Sequence, residues 1–98
     1  MKFNQTADLT THATPGTATA LTATRVKFLK AIVHADADND GPVSIGANNA
    51  ASLYAIPAGG WYVIEGPAQR APSFDYLDLA DWFIKSEDAS QTYRIAYI

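Results

Sequence analysis

Strong turn signals recur along this chain and favour short strands, although Val26, Leu29 and Val33 also fit helical spacing. Pro15-Gly16, Asn39-Asp40-Gly41-Pro42, Pro57-Ala58-Gly59-Gly60 and Gly66-Pro67 each place turn formers side by side. Asn and Asp bond back to nearby backbone, Gly accepts positive φ, and Pro fixes φ and removes a donor. The intervals between them are short and rich in β-branched and aromatic residues: Val26–Val33, Val43–Ile45, Leu53–Ile56, Trp61–Glu65, Trp82–Lys85 and Gln91–Ile98. Such residues suit a pleated, half-buried surface. Short strands with turn signals every 8–12 residues predict an all-β chain, a single-domain β-sandwich or jelly-roll-like barrel.

The segment Asp36-Ala37-Asp38-Asn39-Asp40-Gly41-Pro42-Val43-Ser44-Ile45-Gly46 organises this reading. Val43 and Ile45 alternate with Ser44 in the period of a half-buried strand. Placed after the apolar run ending at Val33, the turn is expected to be the hinge of a hairpin that sets the sheet register. Within residues 25–34, Val26 and Phe28 share one parity while Leu29, Ala31 and Val33 share the other. That switch predicts a bulge at Phe28-Leu29 or burial on both faces. Asp75–Ala80 reads as irregular or a single helical turn, and Ser86–Ser90 as a second hairpin turn. In the last strand Tyr93, Ile95 and Tyr97 share a face.

Residues 1–24 form an extended N-terminal arm preceding a 25–98 sandwich domain. Thr-rich sequence and Pro15-Gly16 argue against a helix there. An extended segment with free backbone groups is expected to pair with the sheet edge of a neighbouring chain.

The 98 residues suffice for one domain and a single core. Charged residues are only 17% of the chain, below the ~25% usual in soluble domains. A low-charge surface is what a protein living in an assembly tolerates. The net charge of −3 leaves no basic footprint for nucleic acid. There are no cysteines, hence no disulfides or thiolate metal sites. No apolar run approaches the ~18 residues of a membrane helix, and no membrane partner is expected. The N-terminal residues lack the apolar stretch of a secretory signal, so synthesis in a cytoplasm is expected.

Candidate chemistry is sparse. Asp36, Asp38, Asp40 and Gly41 fall at positions 1, 3, 5 and 6 of a calcium-loop pattern, with Val43 at position 8. Oxygen ligands at this spacing suit a hard cation, but position 12 is Ala47 instead of a bidentate Glu. An acidic turn without a cofactor is the expectation. His34 beside Asp36 lacks a recognisable nucleophile, so no hydrolytic triad and no enzyme is expected. The Gly59-Gly60 pair has no following helix and fails as a phosphate loop. Adjacent aromatics such as Trp61-Tyr62 must point to opposite sheet faces, which can expose an aromatic patch for an interface or a stacked sugar.

The run Ile32-Val33-His34-Ala35, then Asn39–Gly46, Ile56-Pro57-Ala58-Gly59, Asp78-Leu79-Ala80-Asp81-Trp82-Phe83-Ile84 and Tyr93–Ile98 resembles small virion proteins of tailed bacteriophages. The resemblance covers residues 25–98. It implies a β-sandwich or jelly-roll-like domain on the virion, often trimeric, acting as a capsid decoration (cement) protein bound to the major capsid protein. The implied location is the capsid surface. The acidic run and the 66–74 loop are particular to this chain. On this reading Phe3, Leu9, Thr14, Pro15 and Leu21 of the arm are candidate interface residues. Pro67, Arg70, Pro72 and Phe74 of the loop are the others. A head-fibre base or tail component is the nearer alternative. A carbohydrate-binding module using Trp61, Trp82 and calcium at Asp36/Asp38/Asp40 is the alternative from another class.

Overall fold

In the computed structural model, residues 3–47, 51, 54–65, 69–70, 73–74 and 77–98 are described, with backbone alone at 69–70, 73–74 and 77. The strands are β1 (Asn4–Gln5), β2 (Leu9–Thr10), β3 (Thr19–Ala20), β4 (Lys27–Phe28), β5 (Lys30–Ala35), β6 (Val43–Gly46) and β7 (Tyr54–Ile56). They continue with β8 (Trp61–Glu65), β9 (Gln69–Arg70), β10 (Ser73–Phe74), β11 (Leu77–Asp78), β12 (Phe83–Ser86) and β13 (Thr92–Tyr97). A single 3-10 turn, Leu79–Asp81, lies between β11 and β12.

Alternation in the sequence becomes two faces. In β5, Ala31, Val33 and Ala35 are buried while Lys30, Ile32 and His34 are only half-buried. In β13, Tyr93 and Ile95 turn inward and Arg94 outward. Val43 and Ile45 of β6 and Ile84 of β12 supply the opposing inner layer. Leu21, Phe28, Ile56, Ile64 and Leu79 complete the same core. Each large aliphatic side chain removed from water stabilises by roughly 1.5–3 kcal/mol, so this interface between sheets is the main source of stability.

One sheet has the order β1/β2–β13–β5–β8 and the other β3–β12–β6–β7. β1 and β2 occupy one strand position, both antiparallel to β13. With that merger the pairings nest: β1/β2 with β13, β3 with β12, β5 with β8, and β6 with β7. This is a folded antiparallel ribbon, rolled so that β13 also meets β5 and β12 meets β6. An eight-position double sheet of this order is a jelly roll. The chain is therefore an all-β sandwich of the jelly-roll kind, and its extended N-terminal segment supplies two of the eight strand positions.

The Asp36–Pro42 turn corrects one expectation. β5 belongs to the first sheet and β6 to the second, so this segment carries the chain across the sandwich and is no hairpin. The reason lies in its side chains. Asn39 Nδ2 donates to the Thr92 carbonyl at 3.0 Å, and its Oδ1 accepts from the Thr92 N–H at 2.9 Å. The amide thus stands in for a strand backbone at the start of β13. The Asp40 N–H donates to Gln91 Oε1 at 2.6 Å. A Cβ at Gly41 would run into the Asp88 carboxylate, so the absence of a side chain lets the two crossing turns pack together. Residues 87–91 likewise cross between sheets instead of closing a hairpin. The ribbon's tip is the β6–β7 pair, joined through residues 47–53.

At Phe28-Leu29 the expected bulge is instead a break between two strands. β4 pairs with β11, whereas β5 pairs with β13 and β8. Asp78 holds this corner: its carboxylate accepts from the backbone N–H groups of Ala80 (2.9 Å) and Val26 (3.0 Å) and from Arg25 (3.0 Å). The Ala80 N–H above all keeps the Asp78 carboxyl below its ordinary value, with the Arg25 and Val26 donors acting in the same direction.

The arm is extended as expected, and its pairing partner is this same chain. β1 and β2 lie on β13, and β3 lies on β12. Tyr93, buried in β13, reaches across the sandwich and donates to the Leu21 carbonyl at 2.8 Å. Leu21 is 1% exposed and belongs to the core, which removes it from the candidate interface residues. Its apolar side chain is the hydrophobic peg that anchors the arm.

Candidate functional site

The acidic turn is occupied with its own structure. Asp36 Oδ1 accepts from the Asp38 N–H at 2.9 Å, the bond of an Asx turn. Asp36 Oδ2 lies 3.9 Å from Arg94. Among the described residues, no group of three His, Asp or Glu side chains converges as a metal site would require. Asp36, Asp38 and Asp40 are thus placed by turn geometry and by Arg94 and Gln91.

Of the candidate interface residues, Phe3, Thr14 and Pro15 are exposed, while Leu9 packs partly against the core. Pro67 and Pro72 lie outside the described residues. Arg70 in β9 and Phe74 in β10 are placed by their paired backbones only. His34 sits inside β5, half-buried and facing outward.

The aromatic residues divide as alternation requires. Trp61 is 66% exposed, whereas its neighbour Tyr62 is partly buried against the core. Tyr62 stacks on Tyr54 with ring centroids 4.4 Å apart and planes 27° apart. Burial pushes the Tyr62 hydroxyl above its ordinary value, and the Tyr54 hydroxyl adds to the effect. Tyr54 is itself 46% exposed at the edge strand β7. Trp82 packs against the core, so the two tryptophans do not form one binding surface.

The outer face of the first sheet brings together residues that are far apart in sequence. Cross-strand register places Arg94 opposite His34, and His34 opposite Trp61. The adjoining row runs Gln5, Ala96, Ile32, Val63. Same-face neighbours across antiparallel strands have Cβ atoms about 5 Å apart, so each row is continuous. A groove of about 330 Å³ opens here, lined by Gln5, Thr6, Ile32, His34, Arg94, Ile95 and Ala96. Arg94 is held at its rim by Asp8 at 3.2 Å and by Asp36. Trp61 was visible in the sequence as one of a pair facing opposite ways. The Arg94–His34–Trp61 row was not, because it depends on the β13–β5–β8 order. The outward parity of Arg94 and His34 in their strands was the only local sign.

Searches of family models, curated proteins and solved structures find no match to this chain.

Proposed function

We propose that this chain is a virion structural protein of the capsid-decoration type, bound at junctions between major capsid subunits, with a trimer as the working assembly. The observation that carries this reading is the jelly-roll strand order, an architecture that viral capsid domains share with lectins and cupins. It joins the turn-and-strand resemblance to small phage virion proteins. The mechanism is mechanical. Area buried on the shell by binding to its folded, assembled state raises the stability of that state by mass action. With the arm docked on its own chain, the exposed Phe3, Thr14-Pro15 and the 66–74 segment are the contacts proposed for the shell. The test mixes purified protein with shells of its source that lack it, and follows bound copies by sedimentation and shell melting. Saturable binding with a raised melting temperature is expected. A stable monomer with no affinity for those shells would sink the reading.

A further inference from the structure

We propose that the outer face of the β1/β2–β13–β5–β8 sheet is a binding site for a short neutral oligosaccharide, one ring in the groove and the next stacked on Trp61 beside it. The inference stands on the face itself and is independent of the virion reading. Trp61 leaves most of its indole in water at the end of an outward-facing row. Its register next to His34 and beside the Ile32–Val63 row makes the indole continuous with the groove's apolar side. The row next to it offers Ile32, Ala96 and Val63 as an apolar floor.

The polar groups select the ligand class. Gln5, His34 and Arg94 supply planar donors around the groove. Asp8 and Asp36 supply acceptors at the same rim and already meet the Arg94 charge. A phosphate or carboxylate would have to displace those carboxylates from the guanidinium. A sugar hydroxyl both donates and accepts, and so can bridge such a mixed set without adding charge. The groove's roughly 330 Å³ lies at the lower end of ligand sites, which suits one ring and little more. One ring then fills the groove between Gln5, His34 and Arg94, and the apolar C–H face of the next ring of the same chain lies on the Trp61 indole, one strand beyond His34.

The test uses the full chain, ¹⁵N-labelled and titrated by NMR with cellotetraose, maltotetraose, mannotetraose and chitotetraose. At least one of these is expected to give saturable shifts at the Trp61 indole N–H, His34 and Arg94, with Kd near ~1 mM. Trp61→Ala is expected to keep the folded amide spectrum, since the side chain is mostly exposed, and to weaken binding at least ~10-fold. Trp61→Phe restores part of the affinity, and Gln5→Ala weakens it without moving the indole shift of the free protein. Absence of saturable shifts with all of these sugars up to ~10 mM overturns the proposal. So do shifts that survive Trp61→Ala. Concentration-dependent self-association that disappears in Trp61→Ala also overturns it, because the face would then be covered by a second copy.

Discussion

Asn39 shows how much a single side chain contributes here. Its amide bonds both the N–H and the carbonyl of Thr92, sharing that carbonyl with the Asp36 N–H. At about 1 kcal/mol net for each bond, Asn39→Ala is expected to lower unfolding free energy by about 2 kcal/mol in urea titration. A loss near zero would mean that the crossing turn is held by Gln91 alone. Tyr93 makes the second residue-scale prediction. Burial pushes its hydroxyl up to about 12, from an ordinary value of 10.0. The folded chain therefore keeps this proton where the unfolded chain releases it. The stability this provides is fully present below pH 10 and is lost as pH rises through 12, by roughly 3 kcal/mol in total. Tyr93→Phe leaves the Leu21 carbonyl unpaired, costs ~1 kcal/mol at neutral pH, and is expected to flatten that alkaline slope. Alkaline melting curves of the two proteins, compared directly, check the sign.

At the scale of elements, the crossing turns set the fold. Ser90 sits in the turn leading to β13 with φ of 52°, a conformation L-residues other than Asn and Asp adopt reluctantly. Ser90→Gly is therefore expected to stabilise by up to ~1 kcal/mol in thermal unfolding, provided the relief exceeds the added chain entropy. Gly59, at φ of 80°, shows the converse: Ala there finds ordinary contact with Ala37 and is expected to destabilise by ~1 kcal/mol through its backbone alone. The strands themselves were legible in the sequence. Val43–Gly46, Trp61–Glu65 and the final strand appear where alternation put them, and the parity switch at Phe28-Leu29 became the break between β4 and β5. What the turns connect was not legible. Asn39-Asp40-Gly41-Pro42 has hairpin chemistry, yet it crosses between sheets because Asn39 and Asp40 find partners at residues 91–92, more than fifty positions away. The arm's partners were hidden for the same reason. Thr19-Ala20 carries no signal that β12 will take it as a neighbour.

At the scale of the whole molecule, the nested ribbon brings both ends of the chain to one sheet, with Asn4 opposite Tyr97. It leaves the outer face of that sheet bearing Trp61, His34 and Arg94. That surface was out of reach of the sequence, since it exists only once β13, β5 and β8 are neighbours. A protein that works through its surfaces on a shell must be present in proportion to that shell. The decisive quantity is the stoichiometry of this chain in purified particles of its source, relative to the most abundant shell protein. Near one copy per shell subunit, or a simple fraction of it, is expected across the lattice. A few copies per particle would move the protein to a vertex, fibre or tail, and its complete absence from the particles would contradict the virion function outright.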